Sequence, residues 1–211
     1  FTTEGLGNFL SHWMKGKEID LSRFARGIIF MTEAQAEGRL DDLDITAEIN
    51  SFLGRLKADL NIENVVAGNK PLRIRGTAGT EDLDVGKIIR NDMLGPVSLR
   101  TGLQATLSKP ASLRIDSLFV DRLHFNSYDY TGLKAVGLLS EDMFNGTIIA
   151  NDPSLNAWLQ GGFALSAKTH NARYKFYANV EDADLNALNI DKRGRSRIRF
   201  STNANFTRKE N

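Results

Sequence analysis

Apolar and polar residues alternate with a period of two along most of this chain. The alternation runs from about Leu43 to Phe206 and is clearest in the segments 97–107, 174–180 and 198–206. Successive side chains on a β-strand point to opposite faces of a sheet. The pattern therefore predicts a sheet with one apolar face and one polar face.

Turn-forming residues separate the alternating segments. Asn69-Lys70-Pro71, Gly95-Pro96 and Lys109-Pro110 are such separators, and their spacing is typical of hairpins in an antiparallel meander. The predicted strands cover residues 43–49, 56–62, 72–78, 97–107, 113–117, 118–125, 130–138, 146–150, 155–169, 172–180 and 197–206. Within the long segment 155–169, Gly161 and Gly162 indicate a bulge or bend.

The first forty residues have a different pattern. Leu6–Met14 and the segment around Leu21–Ile28 carry apolar residues at helical spacing, which predicts one or two short helices. We therefore divide the chain into an N-terminal segment, residues 1–40, and a curled antiparallel β-sheet, residues 41–211. Later in the chain, Asp82-Leu83-Asp84 and Asp184-Leu185-Asn186 each close a strand and lead into a short apolar, helix-like segment, which we interpret as a recurring corner.

Composition excludes several classes of protein. The chain has 211 residues, 27 Lys plus Arg, 26 Asp plus Glu and no Cys. A net charge of +1 gives no global steering toward nucleic acid or anionic membranes, and thiolate metal sites and thiol catalysis are excluded. No apolar run approaches the roughly 20 residues of a membrane-spanning helix. Since the chain starts at Phe1 and ends just after a strand-like segment, we expect it to be a piece of a longer protein.

Few residues suggest catalysis. His12, His124 and His170 form no metal-binding or catalytic motif, and we expect His124 on the polar face of a strand. The acidic clusters Asp41-Asp42-Asp44, Glu81-Asp82-Asp84 and Asp182-Asp184 lack the pattern of a calcium loop. We interpret them as turn residues at strand ends. No metal or cofactor is predicted.

Two other groups are candidates for binding. Arg195, Arg197 and Arg199 would share one strand face opposite Ile198 and Phe200, and three guanidinium groups there could contact anionic head groups. The alternative is a solvated strand face that discourages edge aggregation. Tyr128 and Tyr130 could form a sugar-binding patch, although ordinary cross-strand packing also explains them.

The apolar face needs a partner, because a one-faced sheet must bury that face against something. The chain offers little helix for this purpose. A sheet that curls into a half-pipe would leave a long apolar concave groove, and exposed apolar surface on that scale marks a binding site. A long groove without polar anchors suits acyl chains.

The chain resembles AsmA-like and TamB-type proteins. The resemblance rests on the corner Gly79–Ile89, on the segment Ile115–Gly132, and on Gly162–Thr169 followed by Asp184–Gly194. It implies an internal, periplasmic fragment of an inner-membrane-anchored envelope protein with a curled sheet called a β-taco. Such proteins are thought to carry phospholipid toward the outer membrane, and TamB partners an outer-membrane barrel of the TamA type.

We therefore expect a non-enzymatic lipid-conduit segment without a membrane span, whose partners are phospholipid acyl chains. The residues expected to line the groove are Leu99, Leu103, Leu113, Ile115, Phe163, Leu165, Tyr174, Phe176, Ile198 and Phe200. One alternative is a periplasmic scaffold or chaperone module that binds outer-membrane protein strands by β-augmentation. A carbohydrate-active enzyme would need two carboxylates facing each other across a cleft, and the sequence does not predict that pair.

Overall fold

A computed structural model describes residues 30–39, 41–66, 70–141, 143–164 and 173–207, and within them the protein is mainly β. One short helix, α1, covers Val85–Ile89. The strands are β1 (Phe30–Arg39), β2 (Asp42–Ser51), β3 (Gly54–Glu63), β4 (Leu72–Asp84), β5 (Leu94–Leu107), β6 (Ser112–Phe125), β7 (Tyr128–Tyr130), β8 (Leu133–Ser140), β9 (Met143–Asp152), β10 (Leu155–Ala164), β11 (Arg173–Asp184) and β12 (Arg197–Thr207).

All twelve strands belong to a single antiparallel sheet. Its order is β1-β2-β3-β4-β5-β6-β8-β9-β10-β11-β12, and β7 pairs with the end of β6. Neighbours in the sheet are neighbours in sequence, with the short β7 as the one detour, so the topology is a meander. The sheet is open, with β1 and β12 at its two ends. The predicted fold class, an antiparallel meander, is confirmed, and the open sheet is consistent with a curled half-pipe.

The start of the sheet differs from the predicted boundary. β1 begins at Phe30 and pairs with β2 along ten residues, so the sheet includes the last part of the segment 1–40. The helices predicted before Phe30 lie outside the described residues. Within the described residues, no helix is long and apolar enough to cross a membrane.

The strand register keeps apolar residues on one face across the whole sheet. Residues that pair directly across neighbouring strands point to the same side, and following these pairs from strand to strand gives three continuous rows. We call the surface that they form the apolar face. The first row is Ile49, Leu56, Thr80, Leu99, Val120, Leu133, Ala150, Ala157, Val180 and Phe200; the second is Ala34, Ala47, Ala58, Ala78, Thr101, Leu118, Ala135, Ile148, Leu159, Ala178 and Thr202; the third is Ala36, Ile45, Leu60, Gly76, Leu103, Ile115, Gly137, Gly146, Gly161, Phe176 and Ala204.

Bulges preserve this face where strict alternation fails. The pairing of β4 with β5 shifts between Thr80 and Leu83, so both residues remain on the apolar face although they are three positions apart. β11 does the same between Val180 and Ala183. A bulge places two residues opposite one and so restores the phase of the side chains.

The same effect explains an incorrect strand boundary. Segments 113–117 and 118–125 were predicted as separate strands, but they form the single strand β6. The register of β6 with β8 shifts between Ile115 and Leu118, which is the point where the alternation breaks. By contrast, the predicted strand 130–138 is two strands, because the chain turns at Gly132, whose φ is +62°.

Both Asp corners have the predicted role. Asp84 ends β4, and its carboxylate accepts a hydrogen bond from the Lys87 backbone N–H at 3.0 Å, which caps α1. Asp184 ends β11 and accepts in the same way from the Ala187 backbone N–H at 3.0 Å. A short acidic side chain that satisfies the i+3 amide is the usual way to begin a helical turn.

Two turns contact each other at one end of the sheet. Asn126, in the β6–β7 turn, and Asn189, after β11, each donate a side-chain amide to the other's backbone carbonyl, at 3.1 and 2.8 Å. Three strands separate β6 from β11 in the sheet, a distance of about 19 Å at the usual strand spacing. The two turns must therefore approach each other across the ends of these strands. Leu188, beside Asn189, is fully buried, with 1% of its surface exposed.

Close backbone packing at Gly146 yields the first prediction. A Cβ at Gly146 would lie 2.1 Å from the Val136 carbonyl oxygen, whereas a Cβ at Gly162 would meet only the Phe144 carbonyl oxygen, at 3.9 Å. We expect Gly146→Ala to lower the free energy of unfolding by about 1–3 kcal/mol, as overpacking does. Gly162→Ala is the matched control and should cost less than about 0.5 kcal/mol. Urea unfolding followed by circular dichroism measures both; equal losses would contradict this packing.

Candidate functional site

The structure places nine of the ten predicted groove residues on the apolar face. Leu99, Leu103, Ile115, Phe176 and Phe200 belong to the three rows described above. Leu113, Phe163, Tyr174 and Ile198 continue the same side of β6, β10, β11 and β12 by their pairing or alternation. Leu165 lies outside the described residues.

Exposure varies across this face. Leu43, Leu72 and Phe144 are buried near one end of the strands, and Val97, Ala150 and Ala183 are buried near the other. Between them, residues such as Ala58, Leu118 and Ile148 are half-buried. On β12 the apolar residues are more open, and Phe200 exposes 44% of its surface. The middle of the face is therefore apolar surface that remains accessible.

Aromatic side chains form a ladder over a row of glycines. The Phe144 and Phe163 ring centroids are 5.3 Å apart, and those of Phe163 and Phe176 are 6.4 Å apart. Phe144 is buried because its ring lies where side chains at Gly137 and Gly146 would otherwise be. Phe163 and Phe176, the residues expected to face the groove, are half-buried on the apolar face. The ladder gives β9–β11 a packed surface without a second layer.

The three rows contain no charged residue, and their hydroxyl groups come from threonines alone. Contact with these rows is therefore mainly apolar. Burial of acyl methylene groups is favourable by about 0.8 kcal/mol each and has no directional requirement. Such a surface can bind acyl chains of different length at many positions.

Asp152 is the one polar residue that is buried in the described structure, with 6% of its surface exposed. One of its oxygens accepts from the Tyr128 hydroxyl at 2.5 Å and the Ser154 N–H at 2.8 Å. The other accepts from the Thr131 N–H at 2.8 Å and its hydroxyl at 3.1 Å. Burial raises the pKa of Asp152, but these four donors outweigh it, and the pKa falls below its ordinary value. Its hydrogen bonds fasten β7 to the end of β9, which is a structural role.

The arginines do not form the predicted set of three. β12 begins at Arg197, so Arg195 precedes the strand and shares no strand face with the others. Arg197 lies 3.4 Å from an Asp182 oxygen and 3.6 Å from an Asp184 oxygen. Arg199 donates to the Glu181 carbonyl at 2.7 Å. These contacts hold Arg197 and Arg199 against β11.

Histidine and the acidic clusters have structural partners. His124 is on the polar face, as predicted, with Nδ1 2.6 Å from an Asp129 oxygen. Arg122 bridges Asp129 and Asp82, at 3.0 and 3.3 Å. No group of acidic or histidine side chains in the described residues could hold a metal ion. His12 and His170 lie outside those residues.

The Tyr128–Tyr130 pair packs within the fold. Their ring centroids are 4.8 Å apart in an edge-to-face arrangement. Burial raises the pKa of both hydroxyl groups, and for Tyr128 the hydrogen bond to Asp152 raises it further. Since the Tyr128 hydroxyl is engaged with Asp152, this pair functions in packing.

Sequence analysis missed a second group of aromatic residues, on the polar face. Trp158 and Tyr177 expose 36% and 39% of their surfaces, and their ring centroids are 5.4 Å apart. Phe119 is exposed on the same face, with the Lys134 ammonium 5.8 Å from its ring centroid. The signal was present: Trp158 and Tyr177 occupy the polar positions of segments in which Leu159 and Ala178 occupy the apolar ones.

Comparison with known proteins adds no assignment: no family model, no curated protein and no solved structure matches this chain.

The hydrogen bonds of Asp152 predict an acid-sensitive contribution to stability. Because its pKa is lowered in the folded state, this contribution is complete above the unfolded pKa, about 3.9, and is lost as the pH falls through the folded value. We expect Asp152→Asn to destabilise the protein by about 1–3 kcal/mol at pH 7, since an amide cannot accept all four donors.

Urea midpoints measured from pH 7 to pH 3 test this expectation. The difference between the parent chain and Asp152→Asn should shrink at the acidic end of the range. Asp92→Asn, at an exposed carboxylate, serves as the control and should leave the midpoint nearly unchanged at pH 7. A constant difference at every pH would contradict the role given to the ionised carboxylate.

Proposed function

We propose that this chain is a non-enzymatic segment of an envelope-biogenesis protein of the AsmA-like or TamB type, and that its apolar face carries phospholipid acyl chains. The observation that supports the proposal best is the continuity of the uncharged rows. The first row passes through ten consecutively paired strands, and the second and third through eleven, without a charged residue. A face needed for folding alone would be covered by a second layer, whereas the middle of this face remains half-exposed.

The geometry suits movement along the sheet. Ten steps between eleven strands span about 48 Å at the usual strand spacing, which is longer than one acyl chain. An acyl chain that moves from one strand to the next exchanges one set of apolar contacts for a nearly equal set. The free energy therefore changes little along the path, and no polar anchor in the rows arrests the lipid.

Head groups would remain at the margin of the apolar face, where water is accessible. Arg195, Arg197 and Arg199 are the candidate contacts, but an anionic head group would have to compete with Asp182 and Asp184 for Arg197. We therefore assign the arginines a secondary part. The acyl contacts carry the proposal.

The cellular setting follows from the resemblance. The proposal places the chain in the periplasm, within a parent protein anchored in the inner membrane that acts with an outer-membrane barrel of the TamA type. The open antiparallel meander is compatible with a β-taco.

A scaffold or chaperone role is the second candidate, and β12 favours it. This last strand of the described sheet is exposed along nearly its whole length and carries no charge from Phe200 to Thr207. Such a strand is a ready template for pairing with an extended segment. On this account the sheet would add a strand of an outer-membrane protein at β12.

Lipid co-purification tests the proposal directly. The chain, purified from bacterial periplasm and examined by native mass spectrometry, should retain phospholipid. Phe163→Glu and Phe176→Glu each place a charge in the aromatic ladder, and we expect either to reduce bound lipid at least fivefold.

Trp158→Glu is the matched control, because it replaces an aromatic residue on the same part of the sheet but on the opposite face. It should retain lipid. Equal loss in all three variants, or a parent chain free of lipid, would refute the acyl-carrying role. A lipid-free chain that binds amphipathic strand peptides would support the scaffold role instead.

A further inference from the structure

The polar face is divided into two halves of different charge. On β2–β6 most basic residues are ion-paired, among them Arg55 with Glu81 at 2.7 Å, Lys57 with Glu48 at 3.5 Å and Arg100 with Asp121 at 3.4 Å. On the polar face of β8–β11 the three basic side chains are Lys134, Arg173 and Lys175, and the acidic Glu181 and Asp182 lie near the end of β11. None of these three makes an ion pair with another described residue.

A depression of about 670 Å³ lies in the second half, over β9–β12. Its polar lining consists of the amides of Asn145, Gln160 and Asn203, the cations Arg173 and Lys175, and the ring of Tyr177. No acidic side chain of the described residues lines it. Gly162 forms part of the floor, and a Cβ there would meet only the Phe144 carbonyl oxygen, at 3.9 Å.

These groups match the chemistry of a sugar that carries negative charge. Amide side chains both donate and accept hydrogen bonds, as hydroxyl groups require. Arg forms paired hydrogen bonds with carboxylate or phosphate. The C–H groups of a sugar ring pack against aromatic faces such as those of Tyr177 and the adjacent Trp158, whose π-systems are electron-rich.

We propose that this depression binds an anionic oligosaccharide, with Tyr177 and Trp158 as the stacking surface and Arg173 and Lys175 as the charge-recognising groups. The polar groups of this site lie on the face opposite the proposed acyl-carrying surface, and the lining of the depression also includes Phe144, Gly161 and Phe176. The site gives this segment a way to hold a charged glycan while its other face holds acyl chains.

The test measures binding of trigalacturonate to the 211-residue chain by isothermal titration calorimetry and by chemical-shift perturbation. We expect Lys175→Gln to weaken binding at least fivefold and Tyr177→Ala to weaken it by a similar factor. Gly162→Leu, which fills the depression from its floor, should abolish it. Lys57→Gln neutralises a cation on the other half of the same face and should leave the affinity unchanged.

Several outcomes would overturn the proposal. Inorganic phosphate or an acidic peptide binding as tightly would show a site for anions in general, and maltotriose binding as tightly would show that charge plays no part. No binding of trigalacturonate would also refute it. Phe163→Glu should leave trigalacturonate binding intact, which separates failure of this site from failure of the lipid function.

Discussion

The register between neighbouring strands decides which side chains reach each face of this sheet. Because side chains alternate between faces, a shift of one residue in any strand would move its apolar residues to the polar side. Eleven strands pair so that their apolar residues stay on one face. The bulges at Thr80–Leu83, Ile115–Leu118 and Val180–Ala183 return apolar side chains to that face where strict alternation would place them on the other. The continuous apolar face is a direct consequence.

The two ends of the strands and the middle of the face have different tasks. At one end, the Asp84 and Asp184 corners, the Asn126–Asn189 contact and buried Asp152 fix the turns against one another. In the middle, alanine, threonine, leucine and isoleucine side chains of the second row keep the face apolar but incompletely covered. The contacts between turns are thus concentrated at one end, while the centre of the face has no second layer among the described residues.

Much of the architecture could be predicted from the sequence, since alternation and turn residues act locally. The meander, the polar position of His124 and the Asp corners all followed from short patterns. The bulge in β6 did not, because a break in alternation at Ile115–Leu118 looks the same as the end of a strand. The position of Arg195 and the ion pairs of Arg197 could not be predicted either, because they depend on where β12 begins and on carboxylates of β11.

The polar-face depression illustrates the other limit. Asn145, Gln160, Lys175 and Asn203 lie on four different strands, and their proximity follows only once the register of β9–β12 is known. Trp158 and Tyr177 were visible as aromatics at polar positions, but their 5.4 Å separation is a property of the folded sheet. Local patterns identify strands, whereas sites formed across strands require the pairing.

If lipid lies on the apolar face and not on the polar one, two neighbouring residues of β5 should differ in their contact with it. Leu103 belongs to the apolar face, and Gln104, which pairs with Arg75 and Arg114, belongs to the polar face. A photo-reactive benzophenone amino acid can be placed at either position. The protein is then exported to the periplasm of bacteria grown with radioactive phosphate, so that cross-linked phospholipid is detected on the protein. Phospholipid should be cross-linked at position 103 and not at position 104; equal labelling of both positions, or of neither, would contradict an acyl-carrying apolar face.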